Sequence, residues 1–385
     1  MPEDVTLIFA PWCTLTGGLV FTILLFAWRS QCWVFFDQIC IHQYEAHLKT
    51  SGILSIGSFL KCSEKFLLVW DETYTQRLWC MLELAAFCSS HEQPEAKIRI
   101  RPTAMAPCVL AVAVSSWAQV LLYLLTLFEG AFYVQMAARW AALYVVVAFS
   151  RAQYRTMEAM FEKLSSFTVE GAACACCDRG HEMRDGRPVD LCDRDVVLEC
   201  IRSWYGSVQS FEGIVKLRMR NMLYHQLGTS LFPYAWLVVS SAPLFWGWLD
   251  IIASRARGGF WREVAITLVG ALGWSLFMFP VVFQTSLIVA RYCRHRAREA
   301  WQDQLKTIIA ALAPTLLSFL GNWTSRQIKD LPQAFLWASG WALLAGISRS
   351  ASWYHKEKVD IQGHVEDRGV QMSSEASLGT SEKAA

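Results

Sequence analysis

Apolar residues in this chain fall into two kinds of run. The long kind is nearly free of charge and recurs at Leu7–Trp28, Met105–Phe128, Ala131–Phe149, Thr229–Ile251, Val264–Tyr292, Ile308–Trp323 and Gln333–Ile347. At about 1.5 Å per residue, about 20 helical residues cross the roughly 30 Å hydrocarbon layer, so the pattern predicts about seven spans. The last two are short and carry Pro314, Gly321, Gly340 and Gly346; a re-entrant or interfacial pair is their alternative. The first run could also be a signal peptide, but Glu3 and Asp4 stand where a signal peptide carries basic residues, and its apolar core is too long.

The short kind of run is confined to 33–104. WVFFDQICIHQYE, KFLLVW, YTQRLWCMLELAAF and KIRIRP predict strand, helix, strand, helix and strand, with strands at Val34–Ile41, Lys65–Trp70 and Lys97–Pro102. Helix-length connections between short apolar strands imply a parallel crossover. The expected organisation is a first span (1–32), an α/β module (33–104), a transmembrane hairpin (105–149), a Cys-rich section (150–228), a transmembrane bundle (229–349) and a disordered tail (350–385). The tail carries Ser373, Ser374, Ser377 and Ser381 among small and charged residues and has no apolar face to bury.

Composition strengthens the membrane reading. Hydrophobic residues make up 54% and charged residues 18%, against about 25% charged in globular domains. The fold class is thus a mainly α-helical polytopic membrane protein with a small α/β module. A net charge of +2 gives no global attraction to nucleic acid, and membrane lipids are the expected partner. Thirteen cysteines spread over 385 residues read as reduced thiols facing a cytosol rather than a secreted disulfide scaffold. Of the 35 Lys and Arg, 29 fall in 29–102, 150–228, 291–306 and 349–385. The positive-inside rule therefore sets the module, the Cys-rich section and the tail in the cytosol. No Gly-rich phosphate loop, His-Glu-x-x-His or Gly-x-Ser-x-Gly occurs, so the common nucleotide-binding and hydrolase classes gain no support.

Three features carry candidate chemistry. On the Tyr74–Phe87 helix, Trp79 and Glu83 are four apart and share a face, while Leu82, Ala85 and Ala86 turn toward a sheet. Here FFDQICIHQ, KFLLVWDETYTQRLWCMLEL and KIRIRP resemble the Toll/interleukin-1 receptor (TIR) domain. The resemblance implies that Phe35–Asp37 ends the second strand, that Ile39–Glu45 is the functional loop and that Trp79–Leu84 is the helix signature. It further implies self-association or pairing with other TIR-like modules. Many members hydrolyse NAD with the glutamate of this signature, a role that carries over to Glu83, with Trp79 in support and NAD as substrate. The module departs from the family in its truncated start: a membrane span precedes Phe35 where the first strand and helix belong. That strand is central in a doubly wound sheet of order 2-1-3-4-5, so the two flanking strands would have to pair directly. The alternative is a relic whose Glu83 is a solvated residue near Arg77. The same segment is also similar to one in multi-pass membrane proteins of dinoflagellate algae, which implies fold and no activity.

The second feature is CACCDRGHEMRDGRPVDLC, with Cys200 beyond it. Cys174, Cys177, His181 and Cys192 are the best-spaced subset for a structural tetrahedral zinc, with Cys176 beside them. A set of reduced thiols or a juxtamembrane palmitoylation site is the alternative. The third feature is charge near the bilayer. Arg139 lies within an apolar run and needs a partner such as Glu129, or must snorkel; RYCRHRAR (Arg291–Arg298) reads as a topology and lipid anchor. Pro243, Pro280 and Pro314 can kink their spans. The favoured function is a membrane-held interaction or signalling module; the alternatives are a NAD hydrolase and a transporter or channel.

Overall fold

The computed structural model describes residues 11–350 apart from 30, 43, 72, 104, 126–130, 183–191, 224–225 and 227–231. The expected tail therefore lies outside the described residues, as does Glu129. The main elements are α1 (Trp12–Ala27), β1 (Phe66–Trp70), α2 (Leu78–Ser90), β2 (Ile98–Pro102), α3 (Met105–Leu125), α4 (Ala131–Ser165) and α5 (Asp193–Tyr205). They continue with α6 (Tyr234–Ser240), α7 (Ala242–Arg257), α8 (Trp261–Gly273), α9 (Phe279–Tyr292) and α10 (Ala300–Arg326), and α11 covers 331–350. The chain divides into two compact units. One takes the described residues within 1–30, 104–155 and 230–355, and the other those within 31–103 and 156–229.

The first unit is helical and turned inside out relative to a water-soluble bundle. Large apolar side chains such as Leu19, Phe26, Val145, Val239, Leu316 and Leu343 are exposed, while Thr14, Ser116, Asp250, Ser286, Thr315 and Ser318 are buried. Helices in hydrocarbon gain nothing by hiding leucine and associate through small and polar residues. Among the described residues four helices are long and apolar enough to cross a membrane: Met105–Leu122, Tyr133–Ser165, Trp261–Tyr292 and Ala300–Arg326. The α6–α7 pair, bent by 46°, adds a fifth if it counts as one span. This is fewer than the expected seven. The first expected span is represented by α1, whose 16 described residues fall short of the ~20 that a crossing needs. The Ile308–Trp323 run belongs to an unbroken 27-residue helix.

Two prolines shape this unit. Pro280 has no N–H and its ring clashes with the carbonyl four residues back, that of Leu276. The helix answers with a π-turn over Trp274–Met278, and the Leu276 carbonyl accepts the Tyr234 hydroxyl instead. Pro243 stands in the first turn of α7 beside the bend, where Ser241 Oγ donates to Ser275 O at 3.0 Å. Glycines let α1 close on its neighbours: a Cβ at Gly17 would fall 2.5 Å from Trp246, and one at Gly18 2.9 Å from Trp117.

Polar clamps hold the same unit. Asp250, 1% exposed, accepts the backbone N–H groups of Cys13 at 2.7 Å and Thr14 at 3.0 Å and the Thr14 hydroxyl at 2.7 Å. A carboxylate here meets the unpaired donors and positive end of the α1 dipole. Arg151 on α4 donates to Cys293 O at 2.8 Å, Asp303 O at 3.0 Å, Asp303 Oδ1 at 2.8 Å and the Thr307 hydroxyl. Arg155 adds two bonds of 2.9 Å to the Asp303 carboxylate. The loop expected as a lipid anchor is therefore also pinned by its own backbone carbonyls.

The second unit joins the α/β segment and the Cys-rich segment. β1 and β2 pair in parallel, from Phe66 opposite Ile98 to Trp70 opposite Pro102, with α2 in the connection between them. Leu68, Trp70, Ile98 and Ile100 are buried on one face, and Met81, Leu84, Ala85 and Phe87 of α2 are buried too. α5 packs on α2 and donates the Tyr205 hydroxyl to Ala85 O at 2.8 Å. Gln226 completes the far edge of β2, accepting the Ile100 N–H at 2.8 Å and donating to Ile98 O at 2.9 Å. One side chain thus stands in for a third strand.

The expected strand at Val34–Ile41 does not form. Residues 31–36 have no regular structure and Asp37–Cys40 is a short helical turn, in which Asp37 Oδ1 accepts the Gln38 N–H at 2.7 Å. The burial pattern explains this. Phe35 stacks on Phe59 at 4.6 Å and Ile41 is buried, but Trp33, Val34, Phe36 and Ile39 are exposed, so the segment does not alternate as a half-buried strand must. The direct pairing expected between it and Lys65–Trp70 is correspondingly absent among the described residues: β1 has β2 as its sole strand neighbour there.

Candidate functional site

The helix signature opens α2. Arg77 stands at its N-cap, and a parallel bridge joins Arg77 to Ala173: Leu78 N–H donates to Ala173 O at 3.2 Å and Ala173 N–H to Gln76 O at 2.5 Å. The Cys-rich segment therefore touches the start of the helix that carries Trp79 and Glu83. Trp79 packs against Ile41, Ile56, Leu60 and Ala86 and is an apolar support. Glu83 is half-buried. Burial, then the Asp37 charge, push its carboxyl up to about 7, with Arg77 pulling the other way. The structure thus sets Asp37 within electrostatic reach of Glu83, a pairing that rests on the turn at Asp37–Cys40.

Neighbouring groups define the rest of this site. Burial raises the Cys80 thiol to about 11, against the opposing pull of Arg77, so it is a neutral thiol near pH 7 and a poor nucleophile. Burial likewise raises Tyr74 well above its ordinary value; its hydroxyl donates to Cys80 O at 3.3 Å. Asp71 loses some acidity to burial, but the Thr73 hydroxyl and N–H and the Arg77 charge outweigh that and lower it. Arg77, 3.5 Å from Asp71 and 5.6 Å over the Tyr74 ring, is the cation shared by these acids.

The second candidate lies at Cys174–Cys192. Gly180 and His181 both take positive φ, 66° and 63°, a conformation glycine adopts freely and histidine seldom does. It turns the chain back so that His181 N–H donates to Cys176 O at 3.0 Å and His181 Nδ1 sits 3.5 Å from Cys176 Sγ. Cys192 arrives as the N-cap of α5, its sulfur 3.5 Å from that of Cys177. Arg194 braces the loop, donating to Glu170 O at 2.6 Å and Ala172 O at 2.8 Å. Its acidity is weakened first by a hydrogen bond to Cys177.

Two triads share Cys192. In Cys174, Cys177 and Cys192, and again in Cys176, His181 and Cys192, the ligand atoms lie within 4.8 Å of one another, and either triad could hold a metal ion. The four residues expected from spacing do not converge as one set: His181 joins Cys176 rather than Cys174 and Cys177. Cys200 stands on α5 outside both. Residues 183–191, between the two ends of the cluster, lie outside the described residues. Comparison with protein-family models, curated proteins and solved structures returned no match.

In the first unit the structure adds Asp250 to the charges the sequence singled out: it lies within the expected Thr229–Ile251 span and is the buried cap of α1. Arg139 has its guanidinium 6.0 Å over the Trp274 ring, and its Nη1 is buried with no hydrogen-bond partner among the described residues.

Proposed function

We propose that this is an integral membrane protein whose second unit is a cytosolic interaction module of TIR-like kind, held at the bilayer by the first unit. The observation that carries this reading is the open side of the small sheet. Parallel sheets are ordinarily covered on both faces, yet Leu67 and Val69 on β1 are 62% and 50% exposed, and the edge of β1 opposite β2 has no partner strand among the described residues. Such an edge pairs readily with another strand. A second copy of this chain is the fitting partner, because two β1 edges can meet about a two-fold axis. The β1–α2–β2 crossover and the surplus of Lys and Arg in the segments flanking the spans support the remainder of the reading.

Crosslinking of the full chain in lipid nanodiscs with paired Leu67→Lys and Val69→Lys tests it. Both side chains point away from the buried face, so the fold should survive while the dimer falls at least tenfold. A monomeric wild-type chain, or a variant that dimerises unchanged, would sink the proposal.

A second reading, NAD hydrolysis at Glu83, is favoured by the carboxyl held near neutral pH beside Asp37. Cleavage of the bond between the ribose and nicotinamide builds positive charge on the sugar, which a carboxylate stabilises and an amide does not. Clustering the protein in cells should then deplete NAD, and Glu83→Gln should abolish the loss by orders of magnitude; depletion indifferent to Glu83 removes this reading.

A structural zinc on Cys174, Cys177 and Cys192, with its fourth ligand from the Cys176–His181 turn, would fasten the segment that bridges to α2. Metal analysis of the purified chain should give near one equivalent, lost in Cys192→Ala, the residue common to both triads. Metal-free folded wild type leaves the cysteines as thiols.

A further inference from the structure

We propose that the first unit contains a binding site for an amphiphilic anion, an anionic head joined to an apolar body. A cavity of about 460 Å³ opens among α3, α4, α7, α8 and α10, lined on its polar side by Gln119, Arg139, Arg255, Thr267, Asn322 and Arg326, together with Trp274. No Asp or Glu is among its described lining residues.

The chemistry of its unmet groups points one way. Arg139 Nη1 and Trp274 Nε1 are both buried without a hydrogen-bond partner, and both line this cavity. Guanidinium and indole N–H groups donate only, so what each lacks is an acceptor. A water could serve a neutral donor such as the indole, but Arg139 brings a charge as well as an unmet N–H to an apolar cavity, and an uncompensated charge in low dielectric costs several kcal/mol, so an anion fits it best. Arg255 is already aimed, donating to the Thr267 hydroxyl. The other walls are Leu122, Leu244, Ile251 and Ile266, which suit a hydrocarbon body. The volume is within the roughly 300–1,000 Å³ of small-molecule sites.

These cations do not serve topology. Arg139, Arg255 and Arg326 are three of the six Lys and Arg outside the segments that carry the other 29, on the side where the positive-inside rule leaves cations scarce.

The test uses the full chain in a neutral detergent, with thermal unfolding and native mass spectrometry as readouts and dodecanoate, butyrate and dodecanol as probes. Dodecanoate should bind one to one and raise the midpoint by several degrees, and dodecanol should not. Arg139→Met should weaken dodecanoate at least tenfold while the ligand-free variant unfolds at or above the wild-type temperature, since it sheds an unmet charge. Binding of butyrate in place of dodecanoate supports a water-soluble anion; preference for dodecanoate supports a lipid-derived one. Equal binding of dodecanol and dodecanoate overturns the proposal, as does unchanged binding by Arg139→Met. Glu129→Gln decides the remaining case: if that variant gains anion binding that the wild type lacks, Glu129 is the partner of Arg139 and the site is an internal ion pair.

Discussion

Arg139 and Arg151 stand on one helix, α4, and differ in everything but residue type. Arg151 is 2% exposed, and its guanidinium is spoken for by two backbone carbonyls, the Asp303 carboxylate and a threonine hydroxyl. Arg139 faces a cavity and a tryptophan ring with one buried nitrogen unmet. A fully satisfied buried cation is part of the scaffold, and removing it strands its partners. An unsatisfied one is held in place by the rest of the fold and is free to serve a ligand. The second unit repeats the contrast in milder form: Gln226 spends its whole amide on the edge of β2, whereas Glu83 keeps a carboxyl that burial disfavours as an anion.

The contrast can be tested from its strongest consequence downward. Arg151→Met leaves the Cys293 and Asp303 carbonyls and the Thr307 hydroxyl without their donor, with only Arg155 left on the Asp303 carboxylate, and should cost about 3–5 kcal/mol, read as a large fall in the unfolding midpoint; a change as small as that of Arg139→Met would erase the distinction. Asp250→Ala leaves two N–H groups and a hydroxyl unpaired at the start of α1. It should cost about 3 kcal/mol, and chemical labelling of Cys13 should then quicken. Gln226→Leu keeps the bulk but loses both edge bonds, a cost of about 2 kcal/mol, visible as faster amide exchange at Ile100. Tyr234→Phe frees only the Leu276 carbonyl, for about 1 kcal/mol.

Smallest is a pH effect at Glu83. Its carboxyl is raised from 4.5 to about 7 in the folded chain, so the fold holds this proton more tightly than the unfolded state does. Stability from this group is fully present below about pH 4.5 and is lost as pH rises through 7. Glu83→Gln should flatten that stretch of the stability curve and stabilise the protein above pH 7; an unaltered slope would mean that the carboxyl is solvated after all.

The sequence was most legible where one periodicity ruled. KIRIRP alternates cleanly and became β2, KFLLVW is a short apolar run of strand length and became β1, and the long uncharged runs became helices. WVFFDQICI was misread because its apolar residues are contiguous, and contiguity alone does not separate a buried strand from an exposed turn. The cysteine cluster was legible as a group but not as a ligand set. Spacing cannot reveal that a positive φ at His181 swings the ring toward Cys176, or that the N-cap of α5 delivers Cys192. Glu83 was found through a motif, while its charged neighbour Asp37 depended on the turn that replaced a strand.

By itself the sequence determined the helical character, the apolar stretches, the parallel crossover from Lys65–Trp70 to Lys97–Pro102 and the presence of clustered thiols, because each follows from local composition and from the period of neighbours along the chain. Tertiary structure alone decided which polar groups are satisfied. Asp250 finds α1, Arg151 finds Asp303 and Gln226 finds β2 across separations of a hundred residues or more in the chain, while Arg139 and Trp274 are left unmet around one cavity. Hydrogen bonding and desolvation act between groups that meet in space, and no pattern along the chain carries that information.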